Sequence, residues 1–89
     1  MKIKLELFGA SRDFSDKGHL ELEVQDKASV DDLRNEIIKY LDKNFKGNES
    51  FIKVVKSSAF CSENNEIISD NYKITKDQKI GIIPPIGGG

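Results

Sequence analysis

The first feature that limits the fold is a change of period. Residues 2–8, KIKLELF, alternate Ile3, Leu5 and Leu7 with Lys2, Lys4 and Glu6. Residues 19–25, HLELEVQ, alternate Leu20, Leu22 and Val24 with polar neighbours in the same way. A period of two puts alternate side chains on opposite faces, so each stretch predicts a strand with one buried face. Between them Gly9 to Gly18 is polar and bounded by glycines, which predicts a turn or loop and so a hairpin. After Ser29 the spacing lengthens. Val30, Leu33, Ile37, Tyr40 and Leu41 recur mostly at three- and four-residue steps, which predicts a helix from about Val30 to Leu41–Lys43. Ser29 and Asp32 have the spacing of a capping box, with Asp in place of the usual Glu. Asp31 and Asp32 lie at the positive end of the helix dipole, Lys39 and Lys43 towards the negative end.

The second half is punctuated more closely. FIKVV (51–55) reads as a strand or edge segment, AFC (59–61) as a second strand candidate and EII (66–68) as a third. The SENN between the last two predicts a tight turn, and residues 69–79 are polar around Tyr72 and Ile74. KIGII (79–83) is a short apolar strand stopped by Pro84 and Pro85, which cannot donate to a sheet ladder. The order strand, strand, helix, strands, final strand predicts an α+β domain: a mixed sheet of about four to five strands with one main helix on one face. If the first and last strands are parallel neighbours, the helix supplies the crossover they need. That is the β-grasp (ubiquitin-like) layout. No internal repeat or wide linker divides the chain of 89 residues. We therefore expect one domain over 1–83 and a flexible tail over 84–89.

Composition excludes several functions. With 37% hydrophobic and 33% charged residues the chain suits a globular body. A net charge of −1 provides no basic stripe for a phosphate backbone, so nucleic acid is not expected as a partner. No apolar run approaches membrane-spanning length, and the alternating N-terminus lacks a leader's apolar region, so no membrane partner is expected and the expected location is the cytoplasm. Cys61 is the only cysteine, which rules out an internal disulfide. Beside Phe60 it reads as a small buried hydrophobe. His19 has no Cys or His at ligand spacing, so no metal is expected. No nucleophile–base pair or carboxylate dyad stands out.

Chemistry is concentrated in the ending IIPPIGGG. Pro84 and Pro85 stiffen the exit from the sheet and favour an extended course. Beyond Ile86, Gly87, Gly88 and Gly89 carry no Cβ and fit a narrow channel closed to other residues. The carboxylate of Gly89 is the least hindered acyl group a chain can offer. As a carboxylate it is a poor acyl donor. Adenylation with ATP would activate it, and a sulfur nucleophile displacing AMP would leave a thiocarboxylate. By strand parity Phe8 and Ile83 fall on the face away from the helix, where they form a candidate partner-binding patch continued by Ile86.

The ending PPIGGG resembles the Pro-Pro-(Val/Ile)-small-Gly-Gly terminus of the small subunit of molybdopterin synthase, the MoaD-like ubiquitin-like sulfur carriers. KIKLELFGASRD, with Ala10, Arg12 and Asp13, is similar to the family's first strand and the segment after it. SVDDLRNEI resembles the start of the family helix, and NNEII with ITKDQKIGII its closing hairpin and last strand. The family's Gly-Asp before that strand is Asp77-Gln78 here, and 44–62 matches poorly. The resemblance implies a non-catalytic carrier subunit that binds no cofactor. Its adenylyltransferase partner, related to ubiquitin-activating enzymes, would use ATP and Mg on Gly89, and a sulfurtransferase would supply sulfur. The tail, Pro84 to Gly88, would then insert into the large synthase subunit, within a heterotetramer, for molybdenum cofactor synthesis. Carriers for thiamine, tRNA thiolation or cysteine synthesis, and ubiquitin-like modifiers, share this chemistry.

Overall fold

The computed structural model describes residues 1–85. The elements are β1 (Lys2–Leu7), a 3-10 turn (Gly9–Phe14), β2 (His19–Glu23), β3 (Ala28–Ser29), α1 (Val30–Phe45), α2 (Glu49–Ser57), β4 (Ala59–Cys61), β5 (Ile67–Ile68), β6 (Lys73–Ile74) and β7 (Gln78–Ile83). The main sheet has the order β2-β1-β7-β4-β5. β1 and β7 are parallel, Leu5 beside Ile80 and Leu7 beside Ile82, and the other pairs are antiparallel. β3 and β6 form a separate short ladder.

The alternation seen in the sequence fixes which face is buried. Ile3, Leu5 and Leu7 from β1, Leu20 from β2, Ile80 and Ile82 from β7 and Phe60 from β4 are all almost fully buried. Val30, Leu33, Ile37 and Leu41 press the α1 stripe onto them. Each such side chain contributes on the order of 1.5–3 kcal/mol by leaving water. The expected capping box forms: the Ser29 N–H donates to Asp32 Oδ2 (2.9 Å) and the Asp32 N–H donates to Ser29 Oγ (3.1 Å). α1 runs past Leu41–Lys43 to Phe45, where Lys46 (φ 53°) and Gly47 (φ +70°) turn the chain in the left-handed region.

Two expectations change. The Gly9–Gly18 segment contains the 3-10 turn, which buries Phe14 and Ser11. FIKVV lies within a helix, not in a strand or edge segment. Asn48 caps α2, its side chain accepting from the Phe51 N–H (3.2 Å). Phe51 and Val55, four apart, share the inward face: Val55 is fully buried, and Phe51 meets Phe14 and Phe45 with ring centroids 5.1 Å apart in both pairs. The C-terminal end of α2 is held by α1. The Arg34 guanidinium donates to the carbonyls of Val55 (2.6 Å) and Ser58 (2.9 Å) and to Asp70 Oδ1 (2.6 Å). It also lies over the Phe60 ring, 4.9 Å from its centroid. The fold therefore has a second helix beside the expected one. Before β7, Asp77 Oδ1 accepts the Lys2 N–H (2.9 Å), tying the starts of the two parallel strands.

Candidate functional site

The tail leaves from the centre of the sheet. β7 lies between β1 and β4, so its last residues are gripped on both sides. Pro84 is buried, with Gly9 of the 3-10 turn against it: a Cβ on Gly9 would stand 3.8 Å from Pro84 Cγ. Pro85 is exposed. The two prolines line a cleft of about 270 Å³ with Ala10, Ser50, Lys53, Val54 and Ser57. The chain is thus packed into the body as far as Pro84 and reaches solvent at Pro85. Ile86, Gly87, Gly88 and Gly89 lie outside the described residues.

Phe8 and Ile83 stand where parity put them, on the face that α1 does not cover. Phe8 is 45% exposed and Ile83 is half-buried. Phe8 is held by its backbone. Its N–H donates to Ser11 Oγ (2.9 Å), and the Ser11 hydroxyl donates to the Phe8 carbonyl (2.6 Å). The ring lies over Gly81, where a Cβ would come within 3.0 Å of Phe8 Cε2 and 2.7 Å of Cys61 Sγ. Glycine is required here by close approach, since any side chain would displace the aromatic ring or the thiol.

The pairing brings further residues to this face that strand parity in the sequence did not reveal. Cys61 sits opposite both Gly81 and Ile67, and Ala59 opposite Ile83. Ile67 is 66% exposed. Phe8, Gly81, Ile83, Ala59, Cys61 and Ile67 therefore make one apolar surface at the root of the tail. The signal for it lies in the spacing of AFC-SENN-EII, which puts Cys61 and Ile67 on one face once the hairpin register is known. Cys61 is buried as expected, but it packs on this outer side and outside the main core cluster.

Charge borders the surface. Lys79 Nζ pairs with Glu6 (2.8 Å), and the Lys79 N–H donates to Glu63 Oε1 (2.8 Å). The hydrogen bond that Lys79 donates to the Glu6 carboxylate, with the charge of Glu6, raises the Lys79 pKa above the ordinary lysine value. No cluster of metal-ligating side chains occurs among the described residues, and His19 stands in β2 without such company. No helix among them is long and apolar enough to cross a membrane.

A β-grasp body whose final strand delivers a glycine-rich end is an arrangement shared with a known family, and the ThiS family pattern matches residues 5–89. The chain belongs to the ThiS family. ThiS-family chains are ubiquitin-like sulfur carriers of the ThiS/MoaD type. Solved structures share the fold of this ThiS-family chain. A Pyrococcus furiosus protein provisionally named molybdopterin converting factor, subunit 1, superposes with a TM-score of 0.70 at 24% identity, over 97% of this chain and 99% of that one. Small archaeal modifier protein 1 of Haloferax volcanii gives 0.67 at 13% identity, over 96% and 98%. Caldiarchaeum subterraneum ubiquitin gives 0.60 at 22% identity, over 100% and 98%. Among curated proteins none matches the sequence.

Proposed function

We propose that this ThiS-family chain is the small subunit of a molybdopterin synthase, carrying sulfur as a thiocarboxylate on Gly89. The observation that supports it best is the root of the tail. A buried Pro84 and an exposed Pro85 carry the chain out from the middle of the sheet, beside an apolar face that includes Phe8, whose backbone is bonded to Ser11. A docked partner gains from such fixed geometry because little order has to be created on binding.

The chemistry proceeds in balanced steps. A Gly89 carboxylate oxygen attacks the α-phosphorus of ATP-Mg on the activating partner and expels pyrophosphate. A sulfurtransferase persulfide attacks the acyl carbon and AMP leaves. A thiol then cleaves the acyl disulfide and releases the thiocarboxylate. Gly87, Gly88 and Gly89 present no Cβ to the channel of the large subunit, where the sulfur passes to the pterin precursor. Phe8 and Ile83, with Cys61 and Gly81 beneath, provide the docking face for both partners. Pro-Pro before the tail favours this pathway over carriers for thiamine, tRNA thiolation or cysteine synthesis.

Intact mass spectrometry tests the reading. Incubation with ATP-Mg, the activating enzyme and a loaded sulfurtransferase should raise the mass by the difference between sulfur and oxygen, and deletion of Gly89 should abolish the shift. Higher-mass conjugates on target lysines, with no mass shift on the free protein, would refute it in favour of a modifier. Phe8→Asp should weaken binding to the large subunit; unchanged affinity in the folded variant would remove the docking face.

A further inference from the structure

The edge of the sheet formed by β2 is open. The Met1 amino group donates to the Val24 carbonyl (2.6 Å) and the Val24 N–H returns to the Met1 carbonyl (2.9 Å). Bonded pairs alternate along an antiparallel ladder, so Leu22 and Leu20 are bonded to Ile3 and Leu5. The N–H and C=O groups of His19, Glu21 and Glu23 therefore point away from β1. β2 pairs with no other strand among the described residues. Three outward pairs of donors and acceptors at alternate positions form a template for one more strand.

A groove continues from this edge. It has a volume of about 850 Å³, an apolar floor that includes Val24, Ala28 and Ile38, and walls that include Asp32, Asn35 and Glu36 of α1. Its charge is predominantly negative. Glu21, Glu23, Asp26, Asp32 and Glu36 border the edge and groove, against Lys27, Lys39 and, near Asp32, Lys73; Lys39 is already paired with Glu36 (3.2 Å). On the outer face Lys4 and Lys2 stand opposite Glu21 and Glu23, so each carboxylate has a cation on one side and an empty lane on the other.

We propose that β2 receives an extended segment of a partner protein that alternates basic and apolar residues, added as an extra strand. Its basic side chains extend the rows Lys4–Glu21 and Lys2–Glu23, and its apolar side chains turn towards Val24 and Ile38. A second copy of this chain fits poorly. Antiparallel β2–β2 registers centred on Glu21, on Glu23 or between them set a glutamate opposite itself or its neighbour, and like charges directly opposite are unfavourable; only the register that sets Glu21 against His19 avoids this. The edge lies on the far side of β1 from β7, so the site acts independently of the tail.

The probe is a short acetylated and amidated peptide alternating lysine and valine, titrated into the full chain and followed by amide NMR. His19, Glu21 and Glu23 should shift saturably and exchange more slowly, while a glutamate–valine peptide should have no effect. Glu21→Pro removes one outward donor without touching a bond to β1, and should abolish the response. Glu21→Lys with Glu23→Lys should weaken it about tenfold. Removing Gly87, Gly88 and Gly89 should leave it unchanged. Equal binding of both peptides, an absence of shifts, or shifts confined to the Phe8 face would overturn the proposal. So would concentration-dependent dimerisation lost in Glu21→Pro, which would give the edge to a second copy.

Discussion

Substituting Gly81→Ala probes the outer face directly. The added Cβ would stand 2.7 Å from Cys61 Sγ and 3.0 Å from Phe8 Cε2. Carbon and sulfur normally rest well beyond 3 Å apart, so something must move. The Phe8 ring is 45% exposed and can swing outward at small cost. The thiol has one rotatable bond and lies buried in a strand paired on both sides. Overpacking of this kind costs about 1–3 kcal/mol. For a domain of this size that lowers Tm by roughly 5–20 °C. Urea unfolding of wild type, Gly81→Ala, Cys61→Ala and the double variant separates the causes. Cys61→Ala removes the sulfur atom that the new methyl would strike, so the double variant should be more stable than the sum of the single losses predicts, by about 1 kcal/mol or more. Additive losses, or a Gly81→Ala protein as stable as wild type, would refute the close-approach argument.

Arg34→Met keeps bulk over Phe60 but leaves the Val55 and Ser58 carbonyls without their charged donor; we expect a loss of about 2–3 kcal/mol by urea unfolding, with little restored by Arg34→Lys because an ammonium lacks the planar fork. Bonds from the Ser29 backbone and hydroxyl, with Lys73 nearby, hold the Asp32 carboxyl below the usual range. A depressed folded pKa stabilises fully above the unfolded value of about 3.9 and is lost as pH falls through the folded one. Asp32→Asn should therefore flatten the acid limb of the stability profile; a limb identical to wild type would refute it.

The legible parts of this protein were those whose reasons are local. Ile3, Leu5 and Leu7 alternate, Leu33, Ile37 and Leu41 recur by helical steps, and Ser29 stands three residues before Asp32. Each pattern is complete within a few residues, and each element formed as expected. FIKVV shows the opposite case. Five residues with one polar interruption have no readable period, and a short apolar run is ambiguous between strand and helix. Asn48 and the Phe51–Val55 spacing were the available signals for α2. The decision rests on Phe14, Phe45 and Arg34, which are distant in sequence. The β3–β6 ladder was invisible because two residues cannot display alternation.

The sequence by itself determined the strands β1, β2 and β7 and the helix α1, because backbone geometry turns short-range spacing into a buried face. Only the tertiary structure decided that Phe8 covers Gly81 beside Cys61, that Pro84 belongs to the body, and that β2 is left with an open edge. Those facts depend on which strands become neighbours. That choice is made by the packing of the whole core, and no stretch of the chain contains it alone.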